Sequence, residues 1–323
     1  MKRQLRTYIF AVLVLLSALT SCSSKHNEEL SKLQEIKQRG TLLVGTTGDY
    51  RPLSYLEPST NQYWGFDTDL TMIIAEEMGV NVRFVPTSWP TLKEYMLNET
   101  LFDIAICGIS ITDERKELML MSEGYLHNGK TILCRKEDVS RFTNLDDMNK
   151  PDVRVMVNPG GLNEKFANEH LKNAEIIVHQ RNEEIPQLVA EGKADIMITE
   201  IVEAPYYVST DDRLDAPLIN EPFTHGMIGV LMRKGYDDVL QLVNNVIDSC
   251  KADGTLKSCM RSTDLCMVFR RVPKKARKST QEIINSTQEK DLWKTTMYRI
   301  SRRRLRIYVR SGRWPLLALV RYR

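Results

Sequence analysis

From Gly40 onward, the chain alternates short apolar segments of strand length with longer segments of helical periodicity. Short apolar strands separated by helices are typical of parallel sheets covered by helices. The predicted strands are 42–46, 82–85, 103–107, 131–134, 153–157, 175–178, 195–199 and 228–232. The predicted helices are 68–78, 91–97, 163–171, 185–191 and 236–252. This alternation predicts an α/β fold.

The strand–helix alternation breaks twice, at turn-rich stretches near 124–129 and 217–222. We therefore predict two lobes, each a mostly parallel sheet flanked by helices. The first lobe takes residues 39–127 plus 222–257, and the second takes 128–221. Ligands of open α/β sheets bind beyond the carboxyl ends of the strands. The expected ligand site is thus a cleft between the lobes, closed by a hinge motion.

The first 22 residues predict export from the cytoplasm. A basic start at Lys2 and Arg3 precedes a short apolar run over 8–16 and small residues up to Cys22. This order is typical of a signal peptide, and the run is too short to span a bilayer. The end of the segment resembles the bacterial lipoprotein box, which implies lipidation of Cys22 and a periplasmic or cell-envelope protein anchored to a membrane. An ordinary secretory signal with a chance cysteine is the alternative. Residues 23–38 are expected to form a tether and a leading helix.

Charge is distributed unevenly along the chain. Residues 261–323 carry 18 Lys and Arg against 4 Asp and Glu, whereas the rest carries 27 against 38. An acidic body of this kind is not expected to bind nucleic acid. The basic tail over 258–323 has no convincing strand–helix pattern and is predicted to be disordered or atypical. The alternative is a basic arm for anionic lipid or nucleic acid.

Five segments carry candidate ligand-binding chemistry at predicted strand ends. A glycine-containing turn with Tyr50 lies in 45–52, a strand-to-helix junction in 64–70, and Trp89 with neighbouring hydroxyls in 85–92. The fourth segment, 108–115, places Ser110 and Thr112 before Arg115. An arginine fork and nearby hydroxyl donors suit a carboxylate. The fifth combines 158–163 with 198–203.

The order of these segments over residues 38–257 resembles the periplasmic solute-binding proteins of the amino-acid type. The resemblance implies the two-lobed fold of that family. It also implies that Ser110, Thr112 and Arg115 hold a ligand carboxylate, because they match the S-x-T-x-x-x-R arrangement of the family. A family member that serves as a receptor delivers its ligand to an ABC permease.

Five strings carry a narrower resemblance to the cyclohexadienyl dehydratases, a catalytic branch of that family. They are GTTGDYRP, VPTSWPTL, GISITDERK, VNPGGLNEKFA and ADIMITEIVEA. The resemblance implies conversion of prephenate to phenylpyruvate, of arogenate to phenylalanine, or of both, without a metal or an organic cofactor. The alternative is a non-catalytic lipoprotein receptor for an amino acid.

The dehydratase resemblance also implies roles for individual residues. Glu203 is the expected general acid and Asn158 its catalytic partner at the hydroxyl or a carboxylate. Glu200 stands where the family holds an ammonium. Residue type and position give the other candidates: Gly160, Gly161 and Asn163 at a helix start suit an anion, and Tyr50 and Trp89 suit the ring. General acid catalysis near neutral pH requires that burial raise the pKa of Glu203.

Four of these candidates also have a purely structural interpretation. Glu203 could be an ordinary acid in the first turn of a helix, where the helix dipole favours it. Asn158 could be a turn residue before proline, and Tyr50 and Trp89 could simply pack between lobes.

The sequence departs from the dehydratase pattern at three points. Leu162 replaces a threonine, Glu200 replaces an aspartate, and the segment 223–228 lacks an acid–lysine pair. The segment 223–228 therefore offers no lysine to the reaction.

Overall fold

A computed structural model describes residues 30–99, 101–256 and 259. The export segment with Cys22 lies outside the described residues, as does the predicted basic tail apart from Cys259. Within the described ranges, no helix is long and apolar enough to cross a bilayer.

The first of two five-stranded sheets consists of β1 (Thr41–Thr46), β5 (Asn81–Pro86), β6 (Ile104–Ala105), β7 (Leu120–Met121) and β15 (Leu231–Met232). Its strand order is β5-β1-β6-β15-β7, and the part of the fold built on it is called lobe 1. A three-stranded meander lies beside the sheet, formed by β2 (Asp49–Tyr50), β3 (Ser54–Glu57) and β4 (Gln62–Trp64).

Helices cover the first sheet and bury an apolar core. They are α1 (Lys32–Arg39), α2 (Phe66–Met78), α3 (Leu92–Glu94) with a π-helical turn (Tyr95–Glu99), α4 (Asp113–Leu118) and α9 (Asp237–Ala252). Ser31 and Gln34 form a capping box that begins α1, and Gly40 in the left-handed conformation ends it. The apolar faces of α2 and α9 pack into one core that includes Leu70, Ile74 and Val243.

The second sheet consists of β9 (Lys130–Arg135), β10 (Arg154–Val157), β11 (Glu175–Val178), β12 (Ile196–Glu200) and β13 (Leu214–Asp215). Its strand order is β11-β10-β12-β9-β13, and it defines lobe 2. The helices around it are α5 (Leu145–Met148), α6 (Leu162–His170), α7 (Ile185–Ala190) and α8 (Ala204–Thr210), with 3-10 turns at Lys136–Arg141 and Asn182–Glu184. Two apolar clusters, one on each face of this sheet, contain alternate residues of β9 and β12.

Two antiparallel strands, β8 (Leu126–Asn128) and β14 (Gly226–Ile228), carry the chain from one lobe to the other. They lie close to the turn-rich stretches where the sequence predicts the strand–helix order to break. The chain enters lobe 2 at Gly129 and returns near Thr224, and a Cβ atom at Gly129 would lie 2.1 Å from the Thr224 carbonyl oxygen. The two crossing segments are therefore packed backbone against backbone.

The two-lobed α/β prediction is confirmed, with one refinement of the sheets. β1 pairs in parallel with β5 and β6, and β10 pairs in parallel with β11 and β12. The strand that enters each lobe from the other, β9 or β15, runs antiparallel to its neighbours. Each sheet is consequently mixed, because these entering strands join from the opposite end.

Candidate functional site

A small cavity of about 30 Å³ lies between the lobes. Its lining residues are Tyr50, Trp89, Gly108, Ser110, Arg115, Lys130, Asn158, Gly161, Leu162, Asn163, Asn182 and Glu200. A larger cavity of about 340 Å³ adjoins it and shares Trp89, Arg115, Gly161 and Leu162. The smaller volume has room for about one or two water molecules. A ligand with an aromatic-sized ring would therefore need the lobes to separate.

The structure brings most of the predicted site residues together. Tyr50, Trp89, Ser110, Arg115, Asn158, Gly161, Asn163 and Glu200 line the small cavity. Thr112 and Gly160 line the larger one. Glu203 lines neither cavity, and Asn182 connects it to the wall of the small one. Cys22 lies outside the described residues.

Arg115 is anchored by the short loop that precedes α4. The Thr112 hydroxyl caps this helix by accepting from the Arg115 backbone N–H at 3.2 Å. The guanidinium Nη1 donates to the Ser110 carbonyl oxygen at 2.6 Å. Burial lowers the pKa of Arg115, and no carboxylate among the described residues lies within 4.0 Å of its nitrogens. The anchored fork thus has donors to offer a ligand anion.

The buried carboxylate of Asp67 holds the loop that begins at Gly108. It accepts from the Gly108 N–H at 2.5 Å and from the Tyr125 hydroxyl at 2.8 Å, while burial raises its pKa to about 6. Gly108 has φ +74°, and a Cβ atom there would lie 2.2 Å from the Tyr50 ring. A glycine is required at this point because the loop and the ring of Tyr50 are in direct contact.

Lys130 and Glu200 form an ion pair inside the site. Both side chains are buried, with residue exposures of 7% and 6%. Lys130 Nζ lies 2.5 Å from Glu200 Oε1 and 2.6 Å from Asn163 Oδ1. Burial acts to raise the pKa of Glu200, but the charge and hydrogen bond of Lys130 outweigh it and lower the pKa. The lobe 2 wall therefore carries a fixed positive charge beside an ionised carboxylate.

Tyr50 reaches across the cleft to the same carboxylate. Its hydroxyl donates to Glu200, which also accepts from Asn128 Nδ2 at 2.8 Å. The rings of Tyr50 and Trp89 meet edge to face with centroids 6.0 Å apart. These aromatic groups form the lobe 1 wall of the small cavity.

The loop between β10 and α6 supplies amide groups from lobe 2. Asn158 is 4% exposed, and its Oδ1 has no hydrogen-bond partner within the described part of the chain. The Gly160 N–H already donates to Glu164 Oε2 at 2.7 Å, so it is not free for an anion as its place before a helix predicts. Gly161 caps α6, and Leu162 occupies the first helical position and lines both cavities. The unpaired oxygen of Asn158 points to a ligand that donates a hydrogen bond.

Glu203 is fully buried just before α8. Thr199 Oγ1 donates to its Oε2 at 2.6 Å, and Asn182 Nδ2 donates to its Oε1 at 2.8 Å. Burial raises the pKa of Glu203 to about 8, and the negative charges of Glu200 and Asp49 act in the same direction. A substantial fraction of this carboxyl is therefore protonated at neutral pH, as a general acid requires.

Sequence reasoning missed three residues of the site: Lys130, Asn128 and Asn182. Lys130 did leave a signal, because it lies just before the apolar run 132–134 of β9, where a charged side chain needs a buried partner. Asn128 and Asn182 left none, since asparagine in a loop or at a strand end is ordinary. The segment 223–228 supplies no lysine, yet the site obtains one from β9.

Taken together, the cavity presents two cations, one ionised carboxylate and a nearby protonated carboxyl. Arg115 and Lys130 can bind a ligand with two anionic groups, and Glu203 can supply a proton from behind Asn182. Within the described residues, no group of three His, Cys, Asp or Glu side chains is placed to hold a metal ion.

Comparison with known proteins identifies a family and several similar proteins. The family of bacterial extracellular solute-binding proteins, family 3, matches residues 42–262. The cyclohexadienyl dehydratase of Pseudomonas aeruginosa is 40% identical over 216 residues, which are 67% of this chain and 79% of that protein. The L-cystine-binding protein TcyJ of Escherichia coli is 28% identical over 227 residues, 70% of this chain and 83% of that protein.

A solved structure of the same family is also similar to this chain. The ancestral amino acid-binding protein AncCDT-1, described as a precursor of cyclohexadienyl dehydratase, superposes with a TM-score of 0.66. It is 38% identical, and the match covers 72% of this chain and 99% of that one. Both a catalytic and a ligand-binding protein are thus similar to this chain.

Proposed function

This chain belongs to the bacterial extracellular solute-binding proteins of family 3, and we propose that within this family it acts as a cyclohexadienyl dehydratase. The proposed substrates are prephenate, which yields phenylpyruvate, and arogenate, which yields phenylalanine. The similarity to the Pseudomonas aeruginosa enzyme supports this assignment.

One observation carries the proposal: a buried carboxyl with a pKa of about 8 lies next to a cavity that holds two cations. Prephenate has two carboxylates and a ring hydroxyl. Arg115 has guanidinium donors for one carboxylate, and Lys130 Nζ, which uses two of its three hydrogens on Glu200 and Asn163, has one left for the second. The protonated Glu203 matches the hydroxyl that must leave. Burial excludes water and strengthens each of these interactions.

In the proposed reaction, Glu203 donates its proton to the departing ring hydroxyl. The carbon–oxygen bond breaks and water leaves. The bond between the ring and its carboxylate breaks at the same stage, and its electron pair completes the aromatic ring as carbon dioxide departs. Glu203 then regains a proton from water. A positioned acid of this kind contributes about 10²–10⁴-fold to the rate.

The state of Glu200 favours the enzyme over an amino-acid receptor. A receptor needs an anion that is available for the ligand ammonium, but Glu200 already accepts from Lys130, Tyr50 and Asn128. The Lys130 charge would also repel an ammonium group. For the same reason, we expect prephenate, which has a keto group, to be preferred to arogenate.

The second candidate function is a receptor that delivers an amino acid to an ABC permease. The hydroxyl and guanidinium groups of Ser110, Thr112 and Arg115 support it, because they suit any ligand carboxylate. The similarity to the L-cystine-binding protein of Escherichia coli points the same way.

We further propose that the chain is exported and anchored to a membrane through lipid on Cys22. Cells expressing the full chain and labelled with a radioactive fatty acid should yield labelled protein. The Cys22→Ser variant should remain unlabelled. Equal labelling of both would remove the anchor from the proposal.

The decisive test is an assay of the purified exported chain with prephenate and, separately, with arogenate. Chromatography should detect phenylpyruvate or phenylalanine, and Glu203→Gln should lose at least 100-fold in kcat while calorimetry still detects prephenate binding. Glu169→Gln, an exposed acid on α6, is the matched control and should be unchanged. Tight amino-acid binding with no turnover by the unaltered protein would decide for the receptor.

A further inference from the structure

Three consecutive residues of lobe 1 each make a hydrogen bond to lobe 2. The Asp49 carbonyl oxygen accepts at 3.1 Å, the Tyr50 hydroxyl donates, and Arg51 Nη1 donates at 3.0 Å. Their partners are, in order, Asn182, Glu200 and Tyr206. We call residues 49–51 the closure segment.

All three partners are linked to Glu203. Glu203 N–H donates to the Glu200 carbonyl oxygen at 3.0 Å, and Tyr206 N–H donates to the Glu203 carbonyl oxygen at 3.0 Å. Asn182 bonds to the Glu203 carboxyl itself. The closure segment therefore contacts the residues before and after Glu203 in the turn, which are Glu200 and Tyr206. It contacts the Glu203 carboxyl through one intermediate residue.

Asn182 is that intermediate. Its side-chain amide has two hydrogens to donate, and Nδ2 lies within bonding distance of two acceptors, the Asp49 carbonyl oxygen at 3.1 Å and Glu203 Oε1 at 2.8 Å. The residue is 2% exposed and lines the small cavity. When both bonds form, the plane of the amide is fixed by one contact in each lobe.

We propose that Asn182 is a positioning residue through which closure of the lobes sets the orientation of the Glu203 carboxyl. The proposal rests on the dehydratase function proposed above. In an open cleft, the Asp49 oxygen withdraws and the amide loses one of its two acceptors. In the closed cleft, the amide donates to Oε1 while the Thr199 hydroxyl donates to Oε2, so the two contacts together fix the plane of the carboxyl. The acid is thus held in this orientation only when the cleft is closed.

Other charged and titratable groups face the same carboxyl. Glu200 at the end of β12 and Asp49 in β2 raise the pKa of Glu203, while Tyr50 and Tyr207 interact with it from β2 and α8. The hydrogen bonds from Thr199 and Asn182 act in the opposite direction. Loss of the Asn182 donor should therefore raise the pKa of Glu203 further.

The test compares the exported wild-type chain with Asn182→Ala, Asn182→Asp and Asn173→Ala. Asn173 is exposed on the same lobe and serves as the control. With prephenate, we expect kcat of Asn182→Ala to fall about 10- to 100-fold with little change in KM, as misplacement of a catalytic group does. The basic limb of its kcat–pH profile should move to higher pH by about half to one unit, which is the shift that one hydrogen bond is worth.

The Asn182→Asp variant keeps the size of the side chain but removes both donors and adds a like charge. It should therefore lose at least as much kcat and move the basic limb at least as far. Thermal unfolding shows whether each variant is folded. A folded Asn182→Ala or Asn182→Asp protein with the kcat and pH profile of the wild type would overturn the proposal, since a merely structural asparagine leaves both unchanged.

A second readout separates this proposal from the dehydratase function. If the wild type does not turn over prephenate, the proposed function is wrong, and the pKa of Glu203 is then followed by NMR in protein labelled with ¹³C-glutamate. The signal is assigned by its absence from Glu203→Gln. Asn182→Ala should raise that pKa, and an unchanged value would reject the contact between Asn182 and Glu203 as a determinant of the acid.

Discussion

Lys130 and Glu200 face each other as a directly paired couple across the antiparallel strands β9 and β12, and their side chains form a buried ion pair. A cross-strand position holds both groups on one face of the sheet. Glu200 also accepts a hydrogen bond from Tyr50 of lobe 1, so the ion pair connects the interior of lobe 2 with lobe 1. The ion pair thus places the Lys130 cation in the site, and Glu200 compensates its charge within the sheet.

Removing one member of this pair should strongly destabilise the protein. Lys130→Gln leaves the Glu200 carboxylate buried without its counter-charge, and we expect the free energy of unfolding to fall by about 3–5 kcal/mol. The double variant Lys130→Gln, Glu200→Gln should recover much of the loss, because neither charge remains. Urea unfolding at pH 7 measures these differences.

The control for this prediction is Lys150→Gln. Lys150 pairs with Asp147 at the surface, where a salt bridge is worth at most about 1 kcal/mol. A Lys130→Gln variant that loses no more stability than Lys150→Gln would show that Lys130 does not compensate Glu200.

Glu203 should make the stability of the protein depend on pH. Its folded pKa of about 8 lies above the ordinary value of 4.5, so the folded state binds more protons than the unfolded state between these values. The stabilisation that protonated Glu203 contributes is therefore fully present below about pH 4.5. It is lost as pH rises towards 8, and the free energy of unfolding falls by up to about 1.4 kcal/mol per pH unit.

The difference in unfolding free energy between Glu203→Gln and the wild type isolates this contribution. That difference should move in favour of the variant as pH increases from 5 to 8.5, because glutamine does not titrate. Denaturant titrations at four or five pH values measure it, with the exposed Glu169→Gln as the control. A pH-independent difference would assign Glu203 an ordinary pKa.

Much of the fold could be predicted from local sequence. The apolar runs that form β1, β10 and β11 are bounded by polar or turn residues, and their periodicity alone indicates strands. The amphipathic pattern of α9 likewise predicts a helix with one buried face. The antiparallel direction of β9 and β15 depends on the path of the chain between lobes, which no local pattern encodes.

The site was predictable only in part, for a similar reason. Arg115 and its loop lie within one short segment, so the spacing of residue types indicates an anion site. Lys130 meets Glu200 from 70 positions away, and Asn182 meets the Asp49 backbone from 133 positions away. Such contacts arise from tertiary structure, and a single sequence does not reveal them.

Gly108 should tolerate a methyl group much less well than Gly79. Both have a φ near +74°, so alanine carries the same backbone cost of about 1–2 kcal/mol at either position. A Cβ at Gly79 meets nothing within 4 Å, whereas one at Gly108 would lie 2.2 Å from the Tyr50 ring. Gly108→Ala should therefore cost at least about 1 kcal/mol more in unfolding free energy and weaken prephenate binding by displacing Tyr50. Equal stability and affinity of the two variants would contradict this packing.

Arg115 should be needed as a fork and not only as a charge. Arg115→Lys keeps the positive charge but cannot both bond the Ser110 carbonyl oxygen and present two parallel donors to a carboxylate. In the Glu203→Gln background, which is expected to bind without turnover, calorimetry with prephenate should show a Kd raised by about 10- to 100-fold, the value of one charge-assisted hydrogen bond. The melting temperature should change little, because no carboxylate among the described residues pairs with Arg115. Arg83→Lys, on the exposed side of β5, is the matched control and should bind as before. Retention of full affinity by Arg115→Lys would mean that the carboxylate is held elsewhere in the cleft, and Lys130 would then be the first residue to substitute.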